Sequence, residues 1–131
     1  MKIRKETEMK IYVTHSNQWE YVQKLYQPLK QSRLEKEHEI YYPHDEVHKN
    51  QHSKETISSS DLVIAEVSLP ATGMGVELGW AEDRNVPILC ISREGYHVSS
   101  ALKHITENFI VYQNEQDMIQ KIEEFMEKRK N

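Results

Sequence analysis

The chain has one cysteine, Cys90, so no internal disulfide can staple it. No apolar run approaches the ~18 residues that a membrane span requires, and no secretory apolar region is readable; a cytoplasmic protein is expected. Lysine and arginine (17) do not outnumber aspartate and glutamate (21), and the net charge is -4 with a pI near 6.0. Without a basic excess to neutralise many phosphates, long nucleic acids are not expected partners, although one small anion is. Repeats, linkers and low-complexity segments are also absent from the sequence. What remains is a 131-residue chain, 37% hydrophobic, with a mean hydropathy of -0.78. That length fits one domain with one modest core. Pairing with a second copy is a common way for such a domain to gain stability, so the composition is compatible with oligomerisation.

Residues 1–8 are charged and aperiodic and read as a tail, leaving 9–131 as the single domain. Along it, apolar periodicity alternates between strand and helix. Residues 9–14 read as a first strand. Val22, Leu25, Tyr26 and Leu29 then recur on one helical face, with Pro28 set to kink or shorten the helix. His38 to Tyr42 read as a second strand, and 52–60 as a helix with Ile57 inward. Leu62 to Val67 is the most apolar run, β-branched and short, the pattern of a central parallel strand buried on both faces. Met74 to about Asp83 reads as a helix, Val86 to Ile91 as a strand, and Ser99 to Ile105 as a short helix. Phe109 to Tyr112 is the fifth strand, and Met118, Ile119, Ile122, Phe125 and Met126 mark a last helix. Cys90 lies in an apolar run and reads as a buried, inert thiol.

Strands alternating with helices imply an α/β, flavodoxin-like three-layer sandwich whose five-stranded parallel sheet has order 2-1-3-4-5. Ligands in such folds sit beyond the C-terminal strand ends at the switch point. That places a site between Thr14, His15 and Ser16 in the loop after strand 1 and the loop from Ser68 to Gly75 after strand 3.

That second loop carries the chemistry. Residues 66–81 read Glu-Val-Ser-Leu-Pro-Ala-Thr-Gly-Met-Gly-Val-Glu-Leu-Gly-Trp-Ala. Pro70 ends the strand, and Gly73 and Gly75 are expected to let the backbone turn tightly and approach a ligand. The helix that follows offers free N–H groups to an anion. Glu77 is expected in its first turn, where the dipole favours an ionised carboxylate suited to nucleophilic attack. Spacing alone favours a carboxylate that merely improves the helix terminus. The glycine pattern GxGxxxG follows the third strand, not the first, so it is no dinucleotide fingerprint.

Asp61-Leu-Val-Ile-Ala-Glu-Val67 followed by Pro70-Ala-Thr-Gly-Met-Gly-Val-Glu-Leu-Gly79 resembles the nucleoside 2-deoxyribosyltransferase superfamily, most nearly its 2'-deoxynucleoside 5'-phosphate N-hydrolase branch. The similarity extends through Pro87-Ile-Leu-Cys90 and Val98-Ser-Ser-Ala-Leu102, more weakly to Ile11-Tyr-Val-Thr14. It implies the same doubly wound fold and an enzyme that needs no cofactor and no metal. Glu77 would attack the anomeric carbon of a (deoxy)nucleoside or its 5'-monophosphate and form a glycosyl-enzyme intermediate, resolved by water or a second base. It also implies a dimer in which Ser100 reaches the partner's site and contacts the substrate phosphate. Tyr12, Thr14, His15, Ser16, Thr72, Gly73 and Gly75 would then be substrate-binding.

The sequence departs from the family pattern at three places. Six residues before the glutamate, the N-hydrolases carry a phosphate-binding serine and the transferases an aspartate; here stands Ala71, with Thr72 beside it. The family's acid, which protonates the departing base, aligns with Ser53 or Gln51; Asp45, Glu46 and Glu55 are nearby, with Glu55 or Asp45 as the substitutes. The loop after strand 1 lacks the usual glycine-serine pair, and Ser16 or Asn17 also fits an N-cap there. A non-catalytic nucleotide or nucleotide-sugar sensor on the same fold is therefore the alternative function, and a flavodoxin or receiver module ranks below it. His44, His48 and His52 recur every four residues but read as a solvated surface rather than a metal site. Trp80 reads as core or dimer interface before base-stacking surface. Asp61 reads as a structural end of the preceding segment.

Overall fold

A computed structural model of the chain describes residues 7–45 and 53–129. Five parallel strands form one sheet in the order β2-β1-β3-β4-β5: β1 Lys10–His15, β2 Glu39–Tyr41, β3 Leu62–Glu66, β4 Ile88–Arg93 and β5 Asn108–Tyr112. The expected α/β fold and strand order are thus present. Every residue of β3 is buried. A central parallel strand has helices over both faces, which is why its sequence is an unbroken apolar run.

The two faces carry separate clusters. On one, Ile11, Val13, Leu62, Ile64, Leu89 and Ile91 pack against Leu25, Leu29, Met118, Ile122 and Met126. The last three come from α5 (Glu115–Arg129). On the other, Tyr12, Val63, Ala65 and Cys90 pack against Ile57 of α3 (Ser53–Ser58) and Met74, Leu78 and Ala81 of α4 (Thr72–Asp83). The Cys90 thiol is buried there and pushed up to about 12 by burial, which keeps it protonated. At the edge strand β5, Tyr112 faces the α5 cluster, while Phe109 and Val111 are exposed.

Several boundaries differ from the sequence reading, each for a local reason. After β1 the chain enters a π-helical segment, Val22–Tyr26, before α1 (Gln27–Lys30), with Gln27 N–H bonding to the Val22 carbonyl. Pro28 has no N–H to give an α-helical ladder, and the wide turn upstream absorbs the mismatch. Its extra residue rotates Val22 out of line with Leu25, Tyr26 and Leu29, so Val22 is exposed rather than on the buried face. A second short helix, α2 (Arg33–Glu37), is capped by Ser32, whose Oγ accepts from Leu34 N–H at 3.2 Å. Strand β4 begins at Ile88, after Pro87. Helix α4 ends with Asn85 at φ 59, the left-handed position that terminates a helix.

Asp61 has the structural role read for it. Its carboxylate accepts from Lys10 N–H at 2.8 Å, at the sheet end opposite the switch point. Of the tail only residues 7 and 8 are described, and Glu46, His48, Gln51 and His52 lie outside the described residues. No helix of the described residues is long and apolar enough to cross a membrane, and no group of three or more His, Cys, Asp or Glu among them is placed to hold a metal ion.

Candidate active site

Beyond the C-terminal ends of β1 and β2, beside the switch point, a cavity of about 540 Å³ opens against α4. One wall is α4, through Ala71, Gly73, Met74, Val76, Glu77 and Trp80. The other is Tyr41, Pro43 and His44 at the end of β2, with His15, Asn17 and Ser53 completing the lining.

Glu77 faces this cavity, but not from the first turn. Helix α4 starts at Thr72, two residues before the expected Met74, and its first turn holds no acid. The boundary was hidden because its N-cap is Ala71, which makes no side-chain cap hydrogen bond. Glu77 therefore sits in the second turn, beyond the strongest reach of the helix dipole. What orients its carboxylate is strand β1. The Tyr12 hydroxyl donates to Oε2, and Thr14 Oγ1 donates to Oε1 at 2.8 Å. Alternation along β1 puts residues 12 and 14 on the same face, and both are almost fully buried. Burial and the adjacent Glu77 hold the Tyr12 phenol well above the ordinary tyrosine range, so it remains a donor. Tyr12 stacks on Tyr41 of the neighbouring strand, with ring centroids 5.3 Å apart.

The other residues singled out in the sequence divide. His15 and Gly73 line the cavity; Ser16, Thr72, Gly75 and Ser100 do not. Tyr12 and Thr14 stand behind Glu77. His15 is buried, with Nδ1 3.0 Å from the Ser16 carbonyl and Nε2 2.7 Å from the Tyr26 hydroxyl. Its ring stacks on Tyr21 at 4.3 Å. Burial, and to a smaller extent the neighbouring His44, lower its pKa to about 4, so it is neutral at neutral pH. Ser16 Oγ accepts from Gln18 N–H at 3.0 Å, capping a turn rather than a helix. Ser100 is exposed at the start of a short 3₁₀ segment, Ser100–His104.

The glycines do not work as expected. Gly73 and Gly75 lie within α4 and neither has positive φ; among the glycines of the described residues only Gly95 does. A Cβ at Gly73 would meet nothing within 4 Å, so what its missing side chain leaves is open cavity. Ala71 and Gly73 thus place the N-terminus of α4, with its free N–H groups, at the cavity edge.

Sequence reasoning missed Tyr41, Pro43 and His44 as cavity residues and underrated Trp80. Their common signal is topological: the end of the strand beside β1, and the helix turn after Glu77. Trp80 is half-buried, with Lys54 Nζ 5.9 Å from its ring centroid. Of the acid substitutes, Asp45 is ion-paired with Lys30 at 2.8 Å and Glu55 borders two smaller clefts instead. Ser53 does line the cavity, and its side chain bonds to Tyr12.

No protein-family model matches the chain. Over 44 residues it is 48% identical to a protein of Syntrophotalea carbinolica named putative 2'-deoxynucleoside 5'-phosphate N-hydrolase 1, covering 34% of this chain and 28% of that one. Over 79 residues it is 34% identical to the 5-hydroxymethyl-dUMP N-hydrolase of Tetraodon nigroviridis, 56% of each chain. The matched regions thus span about half of these curated relatives' length or less. A solved CMP N-glycosidase of Clostridium botulinum shares the fold at a TM-score of 0.66 and 21% identity, covering 87% of this chain and 98% of that one. The resemblance read from the sequence agrees with these findings: the curated proteins to which this chain is similar are named N-hydrolases of 2'-deoxynucleoside 5'-phosphates and of 5-hydroxymethyl-dUMP, and the fold is that of a CMP N-glycosidase.

Proposed function

We propose that the chain is an enzyme that cleaves, or exchanges the base at, the N-glycosidic bond of a (deoxy)nucleoside or its 5'-monophosphate, with Glu77 as nucleophile. The observation that carries this reading is a carboxylate facing an open cavity while two buried hydroxyls grip it from behind. Tyr12 and Thr14 restrict the carboxylate's rotation, so the oxygen lone pairs not used by them point at the bound sugar. Attack on C1' from one face expels the base; water or a second base then attacks the glycosyl ester and restores Glu77. Trp80 and Tyr41 on opposite walls suit a flat base, and the N–H groups at the start of α4 suit a sugar hydroxyl or phosphate. In a dimer, the exposed Ser100 would serve the partner's site rather than its own.

The test is incubation with a panel of nucleosides and 5'-monophosphates, with and without an acceptor base. Free or exchanged base, and a glycosyl adduct mapped to Glu77, are expected; neither should form with Glu77→Gln. A panel without product or adduct would leave a second reading, a nucleotide sensor, which Ala71 and Ser53 favour by replacing groups that the family uses. That reading expects ligand binding that survives Glu77→Gln.

A further inference from the structure

We propose that His44 is the general acid that protonates the departing base. This rests on the reading of Glu77 as nucleophile and adds the proton donor that such a reaction uses. The family's acid aligns with Ser53 or Gln51, neither of which is an acid; of the two, Ser53 lines the cavity, and a hydroxyl bonded to the Tyr12 phenol has no proton to yield at neutral pH.

The titratable groups among the described cavity-lining residues are His15, Tyr41, His44 and Glu77. His15 has both ring nitrogens engaged and is uncharged until the pH falls to about 4. Tyr41 is held above the ordinary tyrosine range by burial, and so keeps its proton. Glu77 is spent as nucleophile. That leaves His44, on the wall opposite α4.

The placement of His44 suits a proton donor. Its backbone N–H bonds to the Tyr26 hydroxyl at 3.3 Å, which fixes the loop after β2. Its ring lies 5.2 Å from that of His15 and 5.5 Å from that of Tyr21. The side chain is exposed, so solvent can reload it between turnovers. The charged and titratable groups around it are His15 and Tyr41 from the strands, Tyr21 and Tyr26 from the segment after β1, Asp45 next in the chain and Glu77 across the cavity. Neutral His15 adds no like charge. Histidine is the side chain whose protonation changes near physiological pH.

The step balances. A Glu77 oxygen lone pair forms the bond to C1', and the C1'–N electron pair leaves with the base. The proton from the His44 imidazolium goes to a ring nitrogen or carbonyl oxygen of that base. Neutral His44 then takes a proton from water.

The experiment compares nucleosides with a 4-nitrophenyl glycoside of the same sugar, whose leaving group departs without a proton. With His44→Gln and His44→Ala, turnover of the nucleoside should fall about 10²–10⁴-fold, and that of the nitrophenyl glycoside less than about tenfold. Any decline of wild-type kcat/KM for the nucleoside with rising pH that reflects this donor should be missing in His44→Gln. Added imidazole should restore part of the His44→Ala rate. Equal losses on both substrates, or an undiminished nucleoside rate, would overturn the proposal. Nitrophenyl glycoside cleavage that disappears in Glu77→Gln supports the nucleophile whatever His44 does. Cleavage that persists in Glu77→Gln, or none by the wild type, removes the nucleophile and the acid together.

Discussion

Two glutamates stand at the same end of the sheet, on opposite faces, and each is held by a tyrosine and a smaller hydroxyl. Glu66 closes β3 on the α5 face; its carboxylate accepts from Tyr112, from Ser68 Oγ at 2.9 Å and from Ser68 N–H at 2.7 Å. Glu77 on the α4 face accepts from Tyr12 and from Thr14. The difference is access. Glu66 is wholly buried and spends its acceptor capacity on the protein, while Glu77 is partly exposed and keeps lone pairs toward a cavity. A bonded carboxylate is therefore not by itself a site; capacity left over, beside space for a reactant, makes it one.

Substituting each glutamate by glutamine is the most severe test of that contrast. Glu77→Gln should lower base release by about 10³-fold or more, the scale on which removed nucleophiles act, with little change in the unfolding midpoint. Glu66→Gln introduces an NH₂ where donors already converge, so it should cost about 1–3 kcal/mol of stability while leaving folded enzyme active. Urea titration and initial rates on both variants check this. A catalytically dead but stable Glu66→Gln would reverse the assignment.

The architecture was readable because parallel strands covered on both faces leave a strong mark: Leu62 to Val67 and Pro87 to Ile91 hardly have a polar face. The start of α4 was not, since Ala71 caps it without a polar side chain. Glu77 was singled out through the residues around it, whereas what orients its carboxylate was not legible. Tyr12 and Thr14 lie 65 and 63 positions upstream, and only the alignment of β1 beside β3 brings them to α4. His44 was hidden by a local pattern, a four-residue histidine repeat whose other members lie outside the described residues. Long-range pairing has no signature in one sequence; local periodicity does.

His15 links the two regions, pairing with Glu66 in the strand register while lining the cavity of Glu77. Its pKa falls from 6.5 when unfolded to about 4 when folded. The unfolded state therefore binds the extra proton first, and stability present above pH 6.5 is lost as the pH falls toward 4, levelling off below. At ~1.4 kcal/mol per pKa unit this comes to roughly 3 kcal/mol. Glu66 works in the opposite sense: burial raises its pKa, so its contribution is full below 4.5 and is lost as the pH rises through the folded value. Denaturation midpoints measured between pH 4 and 7.5 should lose their acid decline in His15→Phe and their opposing decline in Glu66→Gln. An unaltered acid decline in His15→Phe would remove this account.

The tyrosines give the smallest effects and the finest contrast, because Tyr→Phe deletes one oxygen and almost no volume. A hydrogen bond to a charged group contributes about 1.5–3 kcal/mol. In Tyr12→Phe that loss falls on the orientation of Glu77, where cavity water can replace the donor in the ground state but not restrict the carboxylate; kcat should drop about 10–100-fold with KM little changed. In Tyr112→Phe no water reaches Glu66, so the same deletion should appear as lower stability and an unaltered kcat. Rates and unfolding curves of the two variants check both halves. If Tyr12→Phe moved KM and spared kcat, the phenol would be contacting substrate rather than the nucleophile, and the parallel between the two carboxylates would fail at its decisive point.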